Sequence, residues 1–201
     1  MEFTLKRNVN IVAYLLLALV VTQAIYTVLF TAKIAGPRPF IWGLEGVLFT
    51  ILAAFAGAAL IQARSHHLGW SAIAFSAVLN VVQVSIGLKL FGAFGGVAQQ
   101  MEAAAPLIGA IVAFSFMIYN AAKILLGLAA LVFGMAKMAA GSKTLGGLTA
   151  IAGAVAVVAN SILIIFGRDG FLPSPVAGAS GVIATVLLAL CLISMQHDDK
   201  T

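Results

Sequence analysis

The chain has 201 residues, of which 63% are hydrophobic and 8% charged. A water-soluble domain carries about 25% charged residues, so too little polar surface exists to cover a body facing water, and that class is excluded. The net charge of +5 comes from scattered Lys and Arg, with no basic run of the kind that binds nucleic acid. The excess reads instead as loop residues facing anionic lipid head groups.

A mean hydropathy of +1.14 points to an all-α polytopic transmembrane helix bundle in the lipid bilayer, one domain over 1–201. Six spans with short loops are expected. Residues 1–10 are polar, with Lys6 and Arg7. The first span, 11–32, is longer than the ~7–15 apolar residues of a signal peptide, so it is expected to be retained. Gln23 lies near its middle. Pro37 and Pro39 then forbid helix continuation. The second span, 41–63, has Glu45 near its start and small pairs Ala53/Gly57 and Ala54/Ala58 that suit close helix approach.

Residues 64–68 form a tight loop. The third span, 69–91, places Ser76, Asn80, Gln83 and Gly87 on one helix face. Residues 92–105 read as a glycine-rich connection with a short surface or re-entrant helix. The fourth span, 106–133, carries Asn120 and Lys123 near its centre. A loop at 136–142 leads to the fifth span, 144–166, with Asn160 and Ser161. A turn-rich loop at 167–175 precedes the sixth span, 176–195, and a polar tail.

Six spans put both termini on one side. With the termini cytoplasmic, the inner segments hold Lys6, Arg7, Arg64, Lys137, Lys143 and Lys200, against Lys33, Arg38, Lys89 and Arg168 outside. The positive-inside rule favours that orientation, in a cell membrane.

Lys123 is the residue that asks for an explanation. A lysine at a bilayer centre costs ~2.5–3.5 kcal/mol on insertion scales. By helix rise, Asn80 and Lys123 lie at similar depth, and Gln23 matches them. The third and fourth spans are consecutive and antiparallel, hence expected neighbours. Lys123, Asn120, Asn80, Gln83 and Gln23 are therefore expected to form one midplane polar cluster, continued by Tyr119. It reads either as a binding site or pathway or as interhelical glue, with Lys123 snorkelling toward an interface. Glu45 is placed several turns away. Lys123 is then either uncharged or paired with a ligand anion, a lipid phosphate or a carboxylate of another subunit.

Other chemistry finds little support. His66, His67 and His197, with Asp198 and Asp199, fall on one predicted side but lack fixed ligand spacing, and no metal site is expected. No histidine lies mid-span to hold a haem, and a retinal-type Schiff base on Lys123 lacks its usual carboxylate. No Walker, HExxH, GxSxG or CxxC sequence is present. No catalytic residue and no cofactor are expected. Cys191 is the single cysteine and lies in an apolar run. Three functions remain: a permease or channel-like transporter of a small solute, an anion being one candidate; a non-catalytic subunit of a larger membrane complex or homo-oligomer; and a lipid- or quinone-binding membrane enzyme.

Overall fold

The computed structural model describes residues 3–91, 93–96, 101–167 and 170–195. Its secondary structure there is entirely helical. Six helices are long and apolar enough to cross a membrane, and the protein is a multi-pass helical bundle. They are α1 (Leu5–Thr31), α2 (Arg38–Gln62), α3 (His67–Ile86), α4 (Ala105–Ala139), α5 (Lys143–Phe166) and α6 (Ser174–Ser194). A π turn, Gly87–Phe91, continues α3.

Local sequence explains most helix ends. Thr4 caps α1 by accepting from the Arg7 backbone N–H at 3.3 Å. Pro39, Pro106 and Pro175 occupy the second positions of α2, α4 and α6, in the first turn where no backbone donor is needed. His66 precedes α3 in the left-handed region at φ 61°.

The spans expected at 11–32 and 106–133 are extended by the structure. α1 begins at Leu5 because its first turn is anchored sideways: the Asn8 amide donates to Gln62 at 2.8 Å, and Gln62 donates to the Phe3 carbonyl at 2.8 Å. α4 runs on to Ala139. Its 35 residues give about 52 Å, against the ~30 Å core of a bilayer. The loop expected at 136–142 shrinks accordingly to 140–142. Residues 93–96 are helical, so part of the expected 92–105 helix is present; 97–100, Arg168, Asp169 and the tail with His197, Asp198 and Asp199 lie outside the described residues.

The outer surface of the bundle is apolar, and a few polar side chains are buried in its mainly apolar core. Ile61, Phe40, Ile165 and Val28 face outward, with Ile61 86% exposed, while Asn8, Glu45, Asn80, Lys123 and Asn160 are buried. That is the arrangement expected when the solvent is hydrocarbon. Packing follows a ring: α1 against α2, α2 against α3, α3 against α4, α4 against α6, and α6 back to α1. α5 lies outside the ring in the groove of α4 and α6. The third and fourth spans are neighbours, as expected.

The tightest contact is α4 against α5, and glycine makes it possible. A Cβ on Gly134 would sit 2.5 Å from the Ala150 nitrogen, and one on Gly146 would sit 2.7 Å from the Gly134 oxygen. One heptad along, a Cβ on Gly127 would lie 2.8 Å from the Gly153 oxygen, and one on Gly153 would lie 2.5 Å from the Gly127 oxygen. Backbone meets backbone at both levels, which only a residue without a side chain permits. Seven residues further, the same register sets Asn120 level with Asn160.

Gly134→Leu must push the two backbones apart. It is expected to lower stability by at least ~1–3 kcal/mol, the usual scale for overpacking. Gly109→Ala on the same helix has open space around it and is expected to leave the unfolding temperature unchanged or higher. Thermal unfolding of both variants in detergent checks the contrast.

Candidate functional site

α4 delivers Lys123 to the interior. It lies 18 residues after Ala105 and 16 before Ala139 in that helix, remote from either end, and is 1% exposed. Helical side chains lean toward the helix N-terminus. The Lys123 stem follows that direction across the ring, and its Nζ donates to Gln23 Oε1 on α1 at 3.0 Å. The two helices share no close backbone contact among the described residues, so the long lysine side chain spans the gap between them. Nζ also lies 5.2 Å from the centre of the Tyr119 ring, one turn back on α4. A cation over an aromatic face is attracted by the ring quadrupole.

α6 supplies the floor. A Cβ on Gly181 would be 2.8 Å from Lys123 Cδ and 3.1 Å from Cγ, and one on Gly178 would be 3.9 Å from the Tyr119 hydroxyl. The lysine stem lies directly on Gly181. These two glycines are three apart and share a helix face. Both belong to the site and were not among the residues expected from sequence; their spacing was the available signal.

Beside Gln23 in sequence is Thr22, and Thr22 leads to the buried acid of the bundle. The Thr22 hydroxyl lies 2.9 Å from Glu45 Oε1 and 2.9 Å from the Leu19 carbonyl oxygen. Glu45 is 6% exposed and Thr22 6%. Glu45 and Lys123 make no direct ion pair among the described residues, which agrees with the expectation, yet each lies within the electrostatic reach of the other. The Lys123 ammonium and the Glu45 carboxyl reach adjacent residues of α1, Gln23 and Thr22.

One turn beyond Glu45 lies an aromatic layer. Tyr26 stacks on Trp42 at 5.4 Å between ring centres, and Trp42 meets Phe91 edge-on at 5.8 Å. Trp42 fits there because Gly87, in the π turn, leaves room: a Cβ on Gly87 would be 2.9 Å from the indole. Single π turns inside helices often mark functional positions. Arg38 faces the Tyr26 hydroxyl from outside this layer.

The other expected residues take separate roles. Asn80 turns back on its own helix, donating to the Ser76 carbonyl at 2.9 Å, while the Ser76 hydroxyl donates to the Ala122 carbonyl on α4 at 2.8 Å. Gln83 donates to the Ser115 hydroxyl at 3.3 Å. These two contacts join α3 to α4 beside the lysine and are the interhelical glue of the alternative reading. Asn120 is buried with no hydrogen bond to another described residue. Asn160 bonds the Ala156 carbonyl at 2.8 Å, and its Oδ1 is buried without a partner. No group of three or more His, Cys, Asp and Glu side chains converges on a metal site among the described residues.

An ammonium has three N–H donors. Among the described residues, Gln23 takes one of them. The remaining two have no acceptor among the described residues. The arrangement can hold an anion and can balance a charge.

Gln23→Leu strips Lys123 of its acceptor. It is expected to destabilise the protein by ~1–3 kcal/mol, the scale for a buried polar group left unpaired. Adding Lys123→Met to that variant is expected to restore most of the loss, because no unpaired donor remains. A double-mutant cycle read by thermal unfolding measures the coupling; additive losses would show that the two residues do not interact. Set against known protein families, curated proteins and solved structures, the chain matches none.

Proposed function

We propose that the protein is a small permease that passes a small anionic solute across the cell membrane, with both termini cytoplasmic, through a site around Lys123. The observation that carries this reading is the Lys123 side chain. It is buried, crosses the ring from α4 to α1, and keeps two N–H donors without a protein acceptor among the described residues. Buried charge is expensive in hydrocarbon and marks substrate pathways. A lysine held only for packing would be better replaced by a methionine of similar length.

The subunit reading rests on short loops, the lack of a catalytic motif and a counter-charge supplied by a partner. Glu45, buried within electrostatic reach of Lys123, supplies one, and that favours a self-contained carrier. The lipid or quinone reading would use Lys123, Tyr119 and the amides as polar handles, but Asn80 and Gln83 are bonded within the bundle and the Tyr119 ring faces the Lys123 ammonium.

Lys123→Met tests the proposal in proteoliposomes of the purified full chain. Radiolabelled chloride, nitrate, phosphate and lactate are the probes. Wild type is expected to exchange at least one of them across the vesicle wall. The variant, with unchanged thermal unfolding, is expected to lose that exchange more than ~10-fold, as removal of a charge-assisted contact of ~1.5–3 kcal/mol predicts. Exchange of none of the four by wild type, or equal exchange by a folded Lys123→Met protein, would overturn the reading.

A further inference from the structure

We infer that anion binding at Lys123 is coupled to uptake of one proton by Glu45, so that a monovalent anion and a proton move together. This deepens the reading of Lys123 as an anion site and rests on it.

The argument begins with how few charges the interior holds. The chain has six acids: Glu2, Glu45, Glu102, Asp169, Asp198 and Asp199. Glu45 alone falls inside one of the six spanning helices. Lys123 is the one basic residue remote from a helix end. Among the described residues, the buried acid and the buried base thus meet adjacent residues of α1, Glu45 at Thr22 and Lys123 at Gln23. In the empty protein an ionised pair sums to zero. An anion on the ammonium would leave a net charge of −1 in a medium that tolerates net charge badly. Protonation of Glu45 restores neutrality.

Thr22 is built for both states of that carboxyl. A hydroxyl has one proton to donate and lone pairs to accept. With Glu45 ionised, Thr22 donates to Glu45 Oε1. With Glu45 protonated, the carboxylic acid donates to Thr22 Oγ1, and Thr22 turns its own proton to the Leu19 carbonyl, which is at the same 2.9 Å distance. Every proton keeps an acceptor in each state. The step is a simple addition: a proton from the aqueous phase forms an O–H bond with a carboxylate oxygen, and the bond breaks when anion and proton leave.

The titratable surroundings of Glu45 are few. α1 presents Tyr26, and α4 presents Lys123 and Tyr119, all within its electrostatic reach. α3 and its π turn carry only His67, at the far end, and Lys89, which is exposed. On α2 itself, Arg38 lies outside the aromatic layer and faces Tyr26.

Glu45→Gln keeps the shape and the Thr22 contact but holds no titratable proton. Proteoliposomes of the full chain are tested with the same four anions across the weakly acid to weakly alkaline range. Wild type is expected to lose apparent anion affinity by up to ~10-fold per pH unit as pH rises, the slope of one linked proton. Glu45→Gln is expected to exchange anions with no such slope. Pyranine trapped inside wild-type vesicles gives an independent reading: an inward anion gradient is expected to acidify the lumen, with or without a potassium ionophore to clamp the voltage. Anion exchange without a pH slope and without lumen acidification would overturn the coupling while leaving the Lys123 site standing. A wild-type slope retained in Glu45→Gln would also overturn it. No anion exchange by wild type would remove the site itself, and the coupling with it.

Discussion

The structure depends on the burial of one ammonium group. Hydrocarbon gives a charged side chain no solvation, so Lys123 must be solvated by the protein. Three features of the bundle answer that demand. α1 offers the Gln23 carbonyl oxygen. α4 offers the face of Tyr119 one turn away. α6 offers no side chain at Gly181, so the methylene stem can lie flat against its backbone. Remove the lysine and none of the three has an evident reason to be where it is.

The glycine contacts between α4 and α5 serve the same centre from behind. Gly127 and Gly134 meet Gly153 and Gly146 backbone to backbone, which fixes the depth of α4 against a neighbour outside the ring. Close packing of this kind resists both sliding and rotation. Lys123 is one turn from Gly127, so its level in the bundle follows from that register. The polar joints from α3, Ser76 to the Ala122 carbonyl and Gln83 to Ser115, hold the other side of α4. The lysine is thereby set on a rigid helix, as a site that must discriminate by position requires.

Much of this was legible in the sequence, for physical reasons that can be named. Six spans follow from hydropathy and from prolines that start helices. The neighbour relation of α3 and α4 follows from chain order. The importance of Lys123 follows from its cost in lipid, and Gln23 follows from depth. What sequence missed was mostly lateral. Asn80 has the right depth but folds back on Ser76, because an asparagine in a helix can satisfy itself on the carbonyl four residues earlier. Gln83 finds Ser115 for the same want of a longer reach. Glu45 joins the site through the Thr22 hydroxyl, a lateral bond that depth alone does not give. Gly178 and Gly181 carry no side-chain chemistry, so nothing about them alone pointed to a lysine.

The placement of Glu45 relative to the aromatic layer bears on how strongly the two buried charges act. Tyr26, Trp42 and Phe91 pack on one another one helical turn from Glu45, and Gly87 in the π turn leaves room for Trp42. Between two unit charges the Coulomb term scales inversely with the local dielectric, and it is many times larger in a dry interior than in water. A polar layer at that level would admit water and weaken the influence of Glu45 on Lys123. An aromatic one keeps it. The buried acid therefore acts on the lysine more strongly than an exposed carboxylate would, and it does so without a direct ion pair among the described residues.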